Sequence, residues 1–396
     1  MENNISNIEN RPPAYMINDL LRMIQANSDE IIDDFGIIDN TFVMLEEIEK
    51  MGVDEFSLRS KLSLPRKLYK YFPNKWIFEG SAKKPVNYSL LSLNNNTVFL
   101  QSPGLFDDVY DSNINIDWLV FARVRLHEYL LRCCISELSE DSPLENLSRR
   151  LAEAFCNEWN DKNSLENVFS YSTENETAIL SNRLFTMTTE NAVLSGKSDN
   201  WEEAIKEALT KEYQDYIYNL RNTFRISCFT TSPYQQLMWG GDYADRHTGF
   251  CVEYDIDPDN EDFKSLYFNL FPVVYCKSRP DVSEFLAKNK DGFTKERHWH
   301  YLFHGFLRKS IDWLYQNEWR LLKVFERGTT NYNVPFFHIT KVFIGCRMDR
   351  EQRSEIIDIC KNKQIPYVIV RPARLRFEME ECDGACEKCS RSHMKG

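Results

Sequence analysis

Residues 228–256, CFTTSPYQQLMWGGDYADRHTGFCVEYDI, contain two short runs of alternating apolar residues on either side of a polar, aromatic segment. The runs belong to RISCFTTS (225–232) and GFCVEYDI (249–256). Apolar side chains at every second position favour β-strands with one buried face. A strand pair alone does not need the Trp, Tyr, His and Asp residues between the runs. We interpret this region as the middle wall of a ligand site, for a nucleotide.

The composition is that of a globular protein with an acidic surface. The chain has 396 residues, 42% of them hydrophobic, and a formal charge of −12 from 48 Lys and Arg against 60 Asp and Glu. This charge repels a phosphate backbone and disfavours duplex binding as the main activity. Neither a signal peptide nor an apolar run of about 18 residues is present. We therefore expect a cytoplasmic protein without membrane contact, whose cysteines are mostly reduced.

The N-terminal part, residues 1–62, is predicted to be a helical segment. Candidate helices occupy 14–25 and 39–51. Asp39 or Asn40 is placed to cap the second helix, and Gly52 is placed to end it.

Residues 63–375 are predicted to form one α+β domain, followed by a cysteine-bearing tail at 376–396. Short strands are predicted at 64–73 and 97–101, then a helical insertion at about 117–224, where apolar residues recur every three or four positions. The later strands are RISCFTTS, GFCVEYDI, FPVVYCK, EWRLLKVF, HITKVFIGC and PYVIVRP. Helices are predicted at 294–317 and 349–363, the second with Asp349 and Gln352 at capping-box spacing. The fold class is α+β, with a twisted, mostly antiparallel sheet and flanking helices.

Two groups in the opening stretch are candidate binding residues. Thr230, Thr231 and Ser232 end the first strand with three hydroxyls, which suit a ribose or an amide. Trp239, Tyr243 and His247 are four residues apart, so on a helical turn they would form an aromatic face for a flat heterocycle. The alternatives are a hydroxyl-capped turn and a core-packing stripe.

YQNEWRLL, 315–322, supplies the candidate catalytic pair, Gln316 and Glu318. A carboxylate at a strand start, beside an amide, would bind a sugar hydroxyl and stabilise positive charge at an anomeric carbon. A Glu–Arg ladder on the protein surface is the alternative.

The C-terminal tail contains a candidate zinc site. Its spacing places four potential ligands within twelve residues: Cys382, Cys386, Cys389 and His393. A reduced, flexible tail is the alternative, because zinc ligands normally come in two pairs from separate elements. His298, His300 and His304 share a predicted helix, whose aromatic neighbours favour packing over metal binding.

The order of segments resembles a widespread, poorly characterised bacterial domain family, to which abortive-infection proteins of the AbiGi type look related. The resemblance covers about residues 65–372 and is carried by LYKYFP, FDDVYDS, LMW…DYAD-x-H-x-GFCVEYD, NEWRL and KVFIGCRM. The sequence departs from the family pattern at 106–109, where Phe-Asn-Asp-Pro is usual, and by one extra residue after Trp239.

The same order of segments also resembles an ADP-ribosyltransferase. The resemblance implies that Lys70 and Tyr71 of LYKY help to hold NAD, although a lysine lacks the bidentate fork of the family's arginine. It also implies that residues 230–232 support the nicotinamide ribose, and that Gln316 and Glu318 carry the catalytic step.

We therefore expect a bacterial intracellular effector, related to phage defence, that binds NAD and transfers or hydrolyses its ADP-ribose. The acceptor would be water, a protein or a nucleic acid. One alternative is a metal-dependent nuclease with Asp107, Asp108, Glu253 and Asp255 as ligands. Another is a non-enzymatic sensor that contacts a partner through its N-terminal helices or its tail.

Overall fold

The protein is seen in a computed structural model that describes residues 35–38, 41–78, 84–106, 108, 110–112, 117–134, 152–153, 207–215, 218, 222, 224–279, 281–283, 299, 302–325 and 329–382. The chain divides into two compact units. The first comprises Met1–Ser112, Thr223–Ser278 and Trp299–Gly396, and the second comprises Asn113–Asn222 and Arg279–His298.

The helices are α1 (Leu45–Ser63), α2 (Tyr88–Asn95), α3 (Trp118–Cys134), α4 (Gln236–Gly240), α5 (Lys264–Phe268) and α6 (Arg350–Asn362). Single 3₁₀ turns lie at Pro103–Leu105, Asp242–Ala244 and Glu261–Phe263, a longer one at Ile311–Gln316, and a π-helical turn at Phe303–Leu307. The strands are β1 (Phe35–Ile38), β2 (Thr41–Met44), β3 (Lys67–Phe72), β4 (Thr97–Phe99), β5 (Phe224–Thr230), β6 (Phe250–Asp255), β7 (Leu270–Pro272), β8 (Val274–Cys276), β9 (Arg308–Ser310), β10 (Glu318–Val324), β11 (Asn333–Pro335), β12 (His338–Gly345), β13 (Tyr367–Pro372) and β14 (Met379–Glu381).

The main sheet of the first unit has the strand order β14-β13-β12-β6-β3-β5-β10-β7. Its pairs are antiparallel except β12 with β13, which run parallel and are connected through α6. A smaller sheet has the order β2-β1-β8-β9, and β4 pairs with β11. Val273 separates β7 from β8, so the chain passes from one sheet to the other at a single residue.

The largest hydrophobic core covers one face of the main sheet. Alternation along β10 sends Trp319 and Leu321 into it, and Phe229 and Val252 join from β5 and β6. Ile356 and Cys360 of α6 pack on the same face. The opposite face therefore carries the alternate residues of each strand, which include most of the polar residues discussed below.

The second unit contains α3 and the helical residues 207–215. The ring of Tyr213, in the helical residues 207–215, makes edge contacts with Trp118 and Phe121 of α3 at centroid distances of 5.6 and 5.5 Å. Buried Arg125 pairs with Glu212 at 2.9 Å. No helix within the described part of the chain is long and apolar enough to cross a membrane.

The α+β class with a mostly antiparallel sheet is confirmed, but two predicted helices differ from the structure. Thr41–Met44 forms a strand paired with Phe35–Ile38, and the helix begins only at Leu45. Gly52, at φ +74°, kinks α1 instead of ending it. The predicted helix 294–317 is wrong at Arg308–Ser310, which pairs with β8, and Ile311–Gln316 forms a 3₁₀ helix. In both places strand pairing overrides the local periodicity.

Candidate functional site

The predicted catalytic residue Glu318 lies at the first position of β10, directly opposite Thr230 of β5. Side chains alternate along a strand, so Glu318 and Arg320 lie on the face opposite the core residues Trp319 and Leu321. Glu318 is 5% exposed and Arg320 is 0% exposed. The prediction that they share a face is correct, but they do not form a surface ladder.

Glu318 belongs to a network of four buried charged side chains. The carboxylate of Glu318 accepts hydrogen bonds from Arg320 Nε through Oε1 and from Lys309 Nζ through Oε2, each at 2.7 Å. Asp111 completes the network, with its Oδ2 at 2.7 Å from Arg320 Nη2 and 3.0 Å from Lys309 Nζ. The two acidic and two basic side chains have equal and opposite formal charges. Buried charges are tolerated when they are paired and hydrogen-bonded in this way.

The network keeps Glu318, Lys309 and Arg320 in their charged forms. Burial opposes ionisation of Glu318, but Arg320 and Lys309 outweigh it and keep the pKa of this carboxyl well below its usual range. Burial likewise opposes protonation of Lys309, but Glu318 and Asp111 raise the pKa of its amine. Glu318 is therefore a permanent anion at neutral pH, suited to stabilising positive charge and unsuited to acting as a general acid.

Gln316 and Tyr243 connect this network to the surface. Lys309 Nζ donates to Gln316 Oε1 at 2.7 Å, and Gln316 Nε2 donates to the hydroxyl of Tyr243 at 2.9 Å. Gln316 ends the 3₁₀ turn rather than starting the strand, yet its side chain still meets that of Glu318 at Lys309. Tyr243 is 41% exposed and burial raises the pKa of its phenol to about 12, so it keeps its proton.

The three strand-end hydroxyls are partly engaged in local contacts. Thr230 donates to the carbonyl of Gln316 at 2.6 Å, and so fixes the turn before Glu318. Thr231 Oγ1 accepts from Asn317 Nδ2 at 2.7 Å, and Ser232 Oγ accepts from the amide of Tyr234 at 3.2 Å. The structure brings Thr230 to Glu318, while Thr231 and Ser232 lie in the loop that leaves β5.

The predicted aromatic face is divided in the structure. Trp239 is fully buried, donates to the carbonyl of Pro233, and stacks on His247 at a centroid distance of 6.5 Å. Tyr71 makes an edge contact with Trp239 and donates to the carbonyl of Ser232. Trp239 and Tyr71 are buried and pack within the loop, His247 is half-buried, and Tyr243 is the member of the aromatic series that contacts Gln316.

Lys70 does not join the cluster. Tyr69 is the β3 residue opposite Thr230, so the neighbouring Lys70 points to the other face of the sheet. There its amine binds the carbonyl of Cys228 at 3.0 Å and lies over the ring of Phe229. Burial lowers the pKa of this amine.

Among the described residues, no group of three or more His, Cys, Asp or Glu side chains is placed to hold a metal ion. Cys382 of the predicted zinc set is not part of a disulfide, while Cys386, Cys389 and His393 lie outside the described residues. Asp107, a member of the predicted nuclease set, also lies outside the described residues. Glu253 and Asp255 are paired with Lys67 and Arg66, respectively.

The sequence pattern did not predict Asp111, Lys309 or Arg320 as site residues. Asp111 ends FDDVYD and Arg320 belongs to NEWRL, both of which carry the family resemblance, so a signal existed for these two. No such signal existed for Lys309, because the sequence pattern predicted a helix at this position. Its role depends on the short strand β9, which pairs with a segment more than thirty residues earlier.

Comparison with known proteins reaches only part of the chain. No curated protein and no solved structure matches it. A family model described as "Protein of unknown function (DUF2971)" matches residues 238–321. This range includes Tyr243, Lys309, Gln316, Glu318 and Arg320, but neither Asp111 nor Thr230. Residues 238–321 of this chain are thus similar to the DUF2971 family, whose function is unknown.

Proposed function

We propose that the protein is a bacterial effector that binds NAD and transfers or hydrolyses its ADP-ribose, with Glu318 as the catalytic carboxylate. The observation that supports this most is that Thr230 and Tyr243 contact Gln316, which shares Lys309 with the ionised carboxylate of Glu318, although residues 230–243 and 316–318 are far apart in the chain. Cleavage of the nicotinamide bond develops positive charge on the ribose, and a fixed anion stabilises that charge.

Arg320 and Lys309 favour this role because they orient the carboxylate. Each oxygen of Glu318 accepts one of their hydrogen bonds, and a carboxylate oxygen has two acceptor positions. The carboxylate can therefore accept a further bond from a ribose hydroxyl. Its orientation is set before the substrate arrives, so little reorganisation is required.

Tyr243 is the exposed end of the chain of contacts that leads to Glu318. Its hydroxyl accepts from Gln316, which leaves the phenol proton to be donated to a ligand or to water. We infer that the substrate amide or phosphate contacts Tyr243 first. The abortive-infection setting rests on the resemblance of the sequence motifs alone.

The test follows nicotinamide release from NAD and transfer of labelled ADP-ribose to protein or nucleic acid. Glu318→Gln should lower the rate by about a hundredfold or more, because it removes the anion that stabilises the transition state. Tyr243→Phe should reduce it by about tenfold, because only a hydrogen bond is lost. A chelator should change nothing, which distinguishes this chemistry from a metal-dependent nuclease.

Glu318→Gln also leaves two buried cations opposite one carboxylate, so its folding must be checked by circular dichroism at the assay temperature. Tyr243→Phe avoids this difficulty, since the ring is exposed. Asp255→Asn and Tyr367→Phe serve as matched controls, because both lie on strands of the same sheet and away from Glu318. Absence of nicotinamide release and of label transfer by the intact chain would contradict the proposal.

A further inference from the structure

Trp76, Ile77 and Phe78 form an exposed, extended segment shortly after β3. Their exposed fractions are 44%, 49% and 66%. The amide of Ile77 donates to the carbonyl of Val86 at 2.9 Å, and the amide of Val86 donates back to the carbonyl of Ile77 at 2.8 Å. This isolated antiparallel bridge is the pairing that the segment makes within the described part of the chain.

The backbone groups of Trp76 and Phe78 point away from this bridge. In an antiparallel pair, the N–H and C=O groups of successive residues point to alternate edges of the strand. Since Ile77 uses the edge towards Val86, its two neighbours use the opposite edge. Neither neighbour makes a backbone hydrogen bond to any described residue. Trp76–Phe78 is therefore an open strand edge, which can pair with a strand of another chain.

The open edge is held in a fixed position at its base. Asn74 and Asn87 are 4% and 3% exposed, and Asn87 Nδ2 donates to Asn74 Oδ1 at 2.6 Å. Ser89 Oγ donates to the carbonyl of Pro73 at 2.5 Å. The backbone that leads into the open edge is thus tied to the start of α2.

Large apolar side chains accompany the unpaired backbone groups. Besides Trp76, Ile77 and Phe78, the side chains of Tyr88 and Leu91 are 43% and 45% exposed, and their spacing of three places them on one face of α2. Clusters of exposed apolar and aromatic side chains mark interaction surfaces. Unpaired backbone groups flanked by such side chains fit a second polypeptide strand.

The sequence around Ile77 indicates that this strand belongs to a second copy of the same chain. Residues 75–79 read KWIFE, with opposite charges at the two ends and an aromatic residue on each side of Ile77. In an antiparallel pair centred on Ile77, Lys75 of one copy would lie opposite Glu79 of the other, and Trp76 opposite Phe78. Opposite charges and aromatic residues are favourable cross-strand pairs. Glu79 lies outside the described residues, and the match uses only its charge and its place in the sequence.

We propose that two copies of the chain associate by antiparallel pairing of their Trp76–Phe78 segments about a two-fold axis at Ile77. In each copy the amides of Trp76 and Phe78 donate to the carbonyls of Phe78 and Trp76 of the other. The same surface is used on both copies, so the contact closes with two chains. The interface is small, and we expect a dissociation constant on the order of 10 μM. This association does not depend on whether the protein cleaves NAD.

Sedimentation equilibrium of the intact chain over a concentration series measures the association. The mass should rise from that of one chain to that of two. Phe78→Pro should raise the dissociation constant by about tenfold or more, because it removes an amide donor that has no partner within the single copy. Phe78→Ser should raise it severalfold. Phe377→Ser is the matched control, since Phe377 is 97% exposed elsewhere, and it should leave the association unchanged.

An exchange of charges tests the register. Lys75→Glu and Glu79→Lys should each weaken the association severalfold, because each places like charges opposite one another. The double variant should restore it. Lys75 also lies 3.7 Å from Asp245, so recovery in the double variant is the decisive result rather than the loss in the single one.

A chain that stays monomeric throughout the concentration series would overturn the proposal. A dimer that the Phe78 variants leave unchanged, or a double charge variant that stays as weak as the single ones, would do the same. Assembly that grows beyond two copies would contradict the two-fold contact. Circular dichroism checks the fold of each variant, and if Phe78→Pro does not fold, Phe78→Ser and the charge exchange decide.

Discussion

Arg320 has the most completely satisfied side chain in the site. Its Nε donates to Glu318, its Nη1 to Ser112 and to the carbonyl of Phe306, and its Nη2 to both oxygens of Asp111. All five N–H groups of the guanidinium thus have acceptors, which only its planar fork can achieve. The group links β10 to the loop that ends at Ser112 and to the π-helical turn.

Arg320→Met should lower the free energy of unfolding by about 3–5 kcal/mol, because it leaves two buried carboxylates opposite Lys309 alone. Urea denaturation of the variant and the parent chain measures this difference. Arg66→Met is the matched control. Its guanidinium pairs with Asp255 at the surface, where solvent screens the pair, so its loss should cost far less than the loss of Arg320. Equal losses in both variants would show that the buried network contributes nothing beyond a surface pair.

The depressed pKa values of Glu318 and Glu253 predict an acid-sensitive fold. A carboxyl with a lowered folded-state pKa adds stability that is fully present above its ordinary value of 4.5 and is lost as the pH falls below it. The free energy of unfolding should therefore decrease as the pH is lowered from about 5 to about 3. Glu318→Gln should weaken this dependence, and an unchanged acid profile would contradict the assignment.

At the level of single residues, sequence reasoning predicted the site in part. Glu318 and Gln316 were selected because a strand start aligns side chains on one face. Their cationic partners, Lys309 and Arg320, were not predicted, because ion pairs between distant segments leave no pattern in the local sequence. Trp239 and His247 follow a spacing that is typical of either stacking on a ligand or packing in a core, and burial decides between these only once the loop is folded.

Strands were easier to predict than the helices around them. RISCFTTS, GFCVEYDI and EWRLLKVF correspond to β5, β6 and β10, which all have one core face and therefore a clear alternation. Asp349 caps α6 as expected, and its carboxylate accepts from the amide of Gln352 at 2.9 Å. Five strands were not predicted: β1, β2, β9, β11 and β14. They are three or four residues long, and their pairing partners, not their own periodicity, determine their conformation.

Two glycines hold the loop after α4 against the sheet. A Cβ on Gly249 would lie 2.3 Å from the carbonyl oxygen of Phe72, and one on Gly345 would lie 2.2 Å from that of His247. Both clashes are with backbone, which cannot rotate away. The close approach also allows Gly345 and Arg347 to donate to the carbonyls of Gly249 and His247, at 3.0 Å each.

Gly249→Ala and Gly345→Ala should each lower the free energy of unfolding by about 2 kcal/mol or more, since overpacking against fixed backbone displaces it. Thermal unfolding measures the effect. Gly240→Ala is the control, because the nearest atom to an added Cβ is His247 Nε2 at 4.0 Å and the residue lies in a helix. It should be neutral or stabilising by up to about 1 kcal/mol. Comparable losses of unfolding free energy in all three variants would show that the close approach of the backbone segments does not determine the effect.

At the scale of the whole molecule, charge makes a prediction independent of any site. A chain of formal charge −12 should not bind duplex DNA at physiological salt. Fluorescence anisotropy with a labelled duplex checks this. Binding that weakens steeply with added salt would reveal a basic surface that the net charge conceals, and would favour a nucleic acid as acceptor.

The α+β class could be predicted because composition and the change of period from helical to strand-like spacing are global features. The order of the strands in the sheet could not be predicted from the sequence. β3 pairs with β5 and β6, which lie more than 150 residues further along the chain, and no local pattern encodes that choice. Fold class is thus recoverable from averages over many residues, whereas the site depends on a few long-range pairings.

The one-residue connection at Val273 couples the two sheets. It is the one residue between a strand of the main sheet and a strand of the smaller sheet, and its amide donates to the carbonyl of Glu318 at 2.9 Å. Because a single residue joins the two strands, local unfolding of one sheet should displace the backbone of the other. Amide protons of both sheets should consequently exchange with deuterium as one cooperative block, with Glu318 at its centre.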